Sequence, residues 1–232
     1  TYDSRLLAKA KETGKKLLTF GLSDAANVQV IDSNWSQEKQ VHTIKLKVMD
    51  AVVAVSLKHF NESLPLNVAA AVAFSKAIGL DDRQIVQALE RFEPAKGRFN
   101  IISKTNFVIV DDSYNANPES MRNGLLSCAK MFPDKKKVLI LGDMLELGND
   151  SAKFHLAIGA LCAKEIDPDL IITVGKESLA IAEGAIKAGL PKDRILNFES
   201  VDPVCRLPSR IFEKRELVFV KGSNAIGLHK IV

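Results

Sequence analysis

Asp111-Asp112-Ser113-Tyr114-Asn115-Ala116-Asn117-Pro118 sets two carboxylates, a hydroxyl, a phenol and two amides in one short run. An apolar stretch precedes it, Phe107 to Val110 led in by Asn106, and a helical pattern follows. Asn117 is a suitable N-cap and Pro118 fits the first helical position. The order is therefore strand, polar loop, helix, with the polar groups at the carboxyl end of a buried strand. Open α/β sheets bind ligands at that edge. A polar turn with one capping residue would account for a few of these side chains; so many polar groups in eight residues point to a ligand.

Outward from this run, strand and helix patterns alternate. Strands are expected near 99–103, 106–111, 137–142, 169–174, 194–198 and 216–221, with helices near 118–131, 151–165, 177–188 and 202–213. Such alternation signals a parallel sheet covered by helices. The strands at 137–142 and 169–174 are almost wholly apolar, as parallel strands buried on both faces are. Right-handed crossovers bring the strand ends to one side. Asp111-Asp112, the Gly142-Asp143-Met144-Leu145-Glu146-Leu147-Gly148 loop, Gly175-Lys176 and Lys221-Gly222-Ser223-Asn224 then share one edge. A cleft with both signs of charge and several glycines suits an anionic or zwitterionic ligand.

Upstream the pattern differs. A helix ending at Gly14 leads into a strand at Leu17-Leu18-Thr19-Phe20, so the chain is expected to open inside a domain. Period-two alternation from Asn27 to Leu57 predicts a three-stranded antiparallel meander with turns near Ser33-Asn34 and Met49-Asp50. Two helices follow: Pro65 to Ile78, and one capped by Asp81-Asp82 and stopped by Pro94. The junction falls at Glu93 to Gly97, which gives domains of 1–94 and 95–232. The fold class is α/β: a Rossmann-like, mostly parallel C-terminal sheet preceded by a smaller part with an antiparallel meander.

Composition narrows the function classes. The 232 residues are 47% hydrophobic and 26% charged with a net charge of +4, ordinary for a globular protein. Lys135-Lys136-Lys137 reads as a solvated turn, and no aromatic residues interleave with basic ones as base stacking requires. Nucleic-acid binding is not expected. Cys128, Cys162 and Cys205 lie far apart, which argues against a disulfide framework or structural zinc and for a reducing compartment. Neither a signal peptide nor an apolar run of the roughly 18 residues needed for a membrane span is evident. A cytoplasmic location is expected.

Familiar catalytic signatures are absent: no GxGxxG follows a strand, neither Gly14-Lys15 nor Gly175-Lys176 sits in a P-loop, and no Ser/His/Asp set is apparent. His155 could face the cleft from its helix, although a lone helical histidine more often serves packing. His42, His59 and His229 take no role.

At Gly97-Arg98, Asp111 to Pro118, Leu141 to Gly148 and Lys221 to Ser223 the chain resembles the Mur ligase family. Within it the Ser-Tyr-Asn-Ala-Asn-Pro continuation and the Leu-Gly-Asp-Met-x-Glu-Leu-Gly loop are most similar to the branch that adds D-alanyl-D-alanine. The resemblance implies the last part of a central ATP-binding domain (about 1–94) and a complete acceptor-binding domain (about 95–232). The phosphate-binding loop and magnesium (Mg2+) ligands would lie upstream of Thr1. It further implies ATP-driven amide formation through an acyl phosphate. The partners would be small molecules (ATP, a UDP-muramoyl peptide and D-alanyl-D-alanine), the state monomeric, and the fragment alone inactive.

Residue by residue, the resemblance gives Asn67 to the adenine. The segment Asn61 to Asn67 lacks the glycine, histidine and first asparagine that usually precede that position. Arg98 would reach the ATP phosphates or ribose, Asp112 the ribose hydroxyls, and Tyr114 and Asn115 the nucleotide. Ser113 and Asn117 would line the acceptor side. Asp143 or Glu146 would hold the acceptor's ammonium and Lys221 with Ser223 its carboxylate, with Asp143 as a helix cap the alternative. Asn224 stands where the family commonly has arginine. No catalytic or metal-binding residue is assigned. A different ligase of the superfamily, such as a folate polyglutamating enzyme, and a non-catalytic binding module are the competing readings.

Overall fold

A computed structural model describes residues 4–105, 107–208, 211–212 and 217–232. The chain divides into two compact units, Thr1–Glu93 and Pro94–Val232. Asn106, Glu216 and the far end of the helix expected at 202–213 lie outside the described residues.

The first unit runs α1 (Ser4–Glu12), β1 (Phe20–Gly21), β2 (Val28–Ser36), β3 (Val41–Val48), β4 (Ala51–Leu57), α2 (Leu64–Ala77) and α3 (Asp82–Glu90). Its four strands lie in sequence order, β1 parallel to β2 and the rest antiparallel. Alternate residues Val28, Val30, Ile44, Leu46, Val55 and Leu57 form one apolar face, closed by Val68, Ala69, Val72 and Ala73 of α2 and Ile85 of α3. Full burial of each valine, leucine or isoleucine side chain among them is worth about 1.5–3 kcal/mol. Asp81 caps α3 in a reciprocal box with Gln84.

Two expectations need correction here. The strand expected over 17–20 is only Phe20–Gly21, because the Thr19 N–H goes to the Asn27 side chain at 2.9 Å. The turn expected at Ser33-Asn34 lies later, at 37–40, where Gln40 adopts φ +50°. A register shift between Val30 and Asp32 breaks the alternation, and the polar run beyond it still pairs. There Asp32 meets Lys45 at 3.1 Å and Ser33 meets His42 at 2.7 Å. From Asp32 on, β2 is polar and mostly exposed, so it carries no hydrophobic period to read, although its partner β3 alternates buried and open positions.

The second unit runs β5 (Asn100–Ser103), β6 (Val108–Asp112), α4 (Pro118–Met131), β7 (Lys137–Gly142), α5 (Ser151–Leu161), β8 (Leu170–Val174), α6 (Leu179–Lys187), β9 (Ile195–Phe198), α7 (Val201–Cys205) and β10 (Leu217–Lys221). The sheet order is β5-β6-β10-β7-β8-β9, with β5 antiparallel to β6 and all other neighbours parallel. One face carries Ile109, Val138, Ile140, Ile172, Val218 and Val220 against Val201 and Val204 of α7 and the C-terminal Leu228. The opposite face buries Leu139, Ile171 and Phe219, as well as Met121 and Leu125 of α4.

The mostly parallel α/β sheet agrees with the sequence. The helix expected over 202–213 does not: α7 ends at Cys205, and Pro208 cannot continue it. Lys137 is not solvated either; it is buried, and its ammonium donates to the carbonyls of Pro133 (3.1 Å) and Lys135 (2.7 Å). The helix before β8 closes through a π-helical turn, Cys162–Ile166, ending at Asp167 with φ +46°.

Candidate functional site

The insertion of β10 between β6 and β7 builds the site. It places Lys221 in register with Asp112 on one side and Leu141 on the other. Strand alternation then sorts the adjacent carboxylates. Asp111 shares its side of β6 with Ile109, while Asp112 and Lys221 point toward α4. There Lys221 Nζ lies 2.6 Å from Asp112 Oδ2 and donates to the Asn115 carbonyl at 3.0 Å. Burial raises the Asp112 carboxyl above its ordinary range, and the Lys221 charge and hydrogen bond pull it back.

The rest of the polar loop is held by local bonds. Asp111 Oδ1 accepts from the Ser113 N–H (3.1 Å) and Oγ–H (2.6 Å), an Asx turn. Asn117 caps α4 by accepting from Ser120 N at 2.8 Å, while its own N–H donates to Ser120 Oγ at 3.0 Å. Gly97 and Phe99 adopt φ +73° and +58°. Their turn is tied down twice: the Phe99 N–H donates to Asp112 Oδ1 (3.1 Å) and the Tyr114 N–H to the Gly97 carbonyl (3.0 Å). A side chain at Gly97 would press on Tyr114 at 3.1–3.4 Å. The Arg98 guanidinium consequently lies 4.1 Å above the Tyr114 ring, a cation–π pair.

The loop after β7 forms the neighbouring wall. Ser223 donates its N–H to the Asp143 carbonyl (2.9 Å) and accepts the Leu145 N–H on Oγ (2.9 Å). Asn224 Nδ2 donates to the Tyr114 carbonyl at 3.1 Å. Residues 221–224 therefore buckle the 113–117 loop to the 143–146 loop. His155 supports this wall from below. Its Nε2 accepts the Met144 N–H at 2.9 Å, which leaves Nδ1 to donate to the Ser151 carbonyl at 2.8 Å. It is wholly buried, so the packing reading of this histidine holds. Asp143 Oδ1 accepts the Ser178 N–H at 2.7 Å and starts α6.

The structure thus brings together Arg98, Asp112, Ser113, Tyr114, Asn115, Lys221 and Ser223. Arg98, Tyr114, Asn115 and Glu146 are exposed; Asp112, Ser113, Asp143, Lys221 and Ser223 are buried. Asn67 belongs to the first unit, exposed in the first turn of α2. Sequence reasoning missed Phe99, Gly124, Ser178 and the part Asn224 plays. Of these only Gly124, an isolated glycine inside a helical pattern, left a readable sign. Among the described residues, no group of three or more His, Cys, Asp or Glu side chains could hold a metal ion, and no helix is long and apolar enough to cross a membrane.

Residues 97–224 match the family described as Mur ligase, glutamate ligase domain. The UDP-N-acetylmuramoyl-tripeptide–D-alanyl-D-alanine ligase of Bacillus subtilis is 29% identical over 231 residues, covering 99% of this chain and 49% of its own length. The Escherichia coli ligase of the same name is 33% identical over 170 residues, covering 72% and 35%. A crystal structure of MurF from Acinetobacter baumannii superposes with a TM-score of 0.82 at 27% identity, covering 98% of this chain and 48% of that one. The chain spans about half the length of the curated relatives it matches. The family match takes in the buckled loops, the Arg98 turn and the sheet that carries them, and this chain belongs to the Mur ligase family.

Proposed function

We propose that this chain is the C-terminal half of an ATP-dependent ligase that adds D-alanyl-D-alanine to UDP-N-acetylmuramoyl-tripeptide. The observation that carries the reading is the Gly97–Phe99 turn bonded to Asp112 and Tyr114, which sets Arg98 on Tyr114 at the switch point of the sheet. Relatives of that name, aligned along almost the whole chain, support it. In the reaction the tripeptide carboxylate attacks the γ-phosphorus of ATP, releasing ADP and forming an acyl phosphate. The dipeptide amine then adds to the acyl carbon, loses its proton, and expels phosphate as the amide forms.

On this reading Arg98 offsets phosphate charge with a fixed, planar cation. Tyr114 and Asn115 flank the nucleotide, and Asp112 offers its remaining lone pairs to the ribose. Ser113, Asn117, Asp143, Glu146 and Ser223 line the acceptor side, where exposed Glu146 is best suited to an ammonium. ATP would arrive with magnesium. Bound magnesium would offset charge on the transferred phosphoryl group, and among the described residues no group of three or more His, Cys, Asp or Glu side chains could hold it. The chain's own contribution is positioning of two reactants, a large part of the rate in such reactions. A monomeric cytoplasmic enzyme fits this role.

The test is phosphate release by the full-length enzyme, with ATP, UDP-muramoyl-tripeptide and D-alanyl-D-alanine all required. Preference for a single amino acid or for a glutamate chain as acceptor would move the protein to another branch. Arg98→Ala should lower kcat/KM at least tenfold; unchanged turnover would remove the nucleotide role of the turn.

A further inference from the structure

Lys221 was expected to meet the acceptor's carboxylate, yet its surroundings are those of a structural lock. The side chain is 3% exposed and that of Asp112 11%. Nζ already has the Asp112 carboxylate and the Asn115 carbonyl as partners. From the helix side, Gly124 of α4 closes the pair. A Cβ there would lie 3.0 Å from both Asp112 Oδ2 and the Phe219 ring and 3.5 Å from Lys221 Cδ. A side chain at 124 would therefore press on the pair itself. The other Asp112 oxygen holds the Phe99 N–H, and through it the turn that presents Arg98.

We infer that Lys221 is a positioning residue: with Asp112 under Gly124, it fixes the Arg98 turn and the Ser113–Asn115 loop as one nucleotide-facing ledge, and it does not bind the acceptor's carboxylate. The inference rests on the nucleotide reading above. A hydrogen-bonded ammonium this deeply buried is costly to redirect, because Asp112 would then be a largely buried carboxylate without its counter-charge. Charge on Asp112, the Asn115 carbonyl direction and the Phe99 amide all depend on one lysine. Its loss should loosen the nucleotide side first.

The experiment has a kinetic and a spectroscopic arm. In the full-length enzyme, Lys221→Met should raise the KM for ATP tenfold or more while the KM for D-alanyl-D-alanine changes less than twofold. Lys221→Arg, which can still reach both partners, should recover most of the loss. Asp112→Asn combined with Lys221→Met removes the uncompensated charge, which keeps the comparison open if the single variant folds poorly. Its ATP KM should not exceed that of Asp112→Asn alone. In 15N spectra of the 232-residue chain, both Lys221→Met variants should shift the amides of Phe99 and Ser113 to Asn115. A rise confined to the dipeptide KM, or unmoved Phe99 and Asn115 amides, would overturn the inference. If the wild-type enzyme showed no dipeptide-dependent phosphate release, the functional reading would fall, and the spectra alone would still judge the lock.

Discussion

At the scale of single residues, Asp112 carries a pH dependence with a definite sign. Burial lifts its carboxyl above the ordinary 3.8, against the pull of Lys221. A raised value in the folded state means the native chain binds that proton more tightly than the unfolded chain. The resulting stabilisation is complete below about 3.8 and is lost as pH rises through the raised value. Measured against Asp112→Asn in denaturant titrations, the wild type should therefore lose relative stability between acid and neutral pH; a gain would contradict the assignment. Asn117→Ala should cost about 1 kcal/mol by removing the cap of α4, checked in the same titrations. The sequence made the polar run, its cap and Lys221 legible because each has a local signature. It could not disclose that Lys221 reaches Asn115, a partner 106 positions away, or that Phe99, a bulky residue, adopts φ +58°. Both depend on tertiary bonds that override local preference.

Among the elements, α5 approaches α6 closely. A Cβ on Gly159 would collide with the Ile181 carbonyl, and one on Gly184 with the Leu156 carbonyl. These are backbone atoms that cannot swing aside, so the two helices meet along glycine faces. Gly159→Ala should destabilise the second unit by about 1–3 kcal/mol or more, although alanine is the better helix former. Thermal unfolding checks it, and a rise in Tm would refute the close approach. The strands of the second unit were readable because parallel strands buried on both sides are continuous apolar runs. The errors fall where that signal stops. Past the Val30/Asp32 shift, β2 has no apolar alternation of its own to mark it, although it pairs with β3. After Cys205, a helix-favouring composition meets Pro208.

For the molecule as a whole, each unit has its own apolar core, so residues 94–232 expressed alone should fold cooperatively. A single sharp melting transition for that piece supports this; a broad, non-cooperative melt would oppose it. Thiol accessibility probes the same cores. Cys128 and Cys162 are buried with thiols pushed up to about 12, whereas Cys205 is exposed. One equivalent of a thiol reagent should react with the native chain at neutral pH and three after denaturation. Strand order was the part no local pattern could give, since hydrophobic period says where a strand is and not which neighbours it takes. That order bears on how the protein is made. On the ribosome β6 and β7 emerge before β10, and the lane between them stays vacant until β10, the last of this sheet's described strands in chain order, drops in. Until that moment the nascent sheet has two unpaired inner edges, open to mispairing with other chains, and the ligand-facing loops have nothing to fasten them.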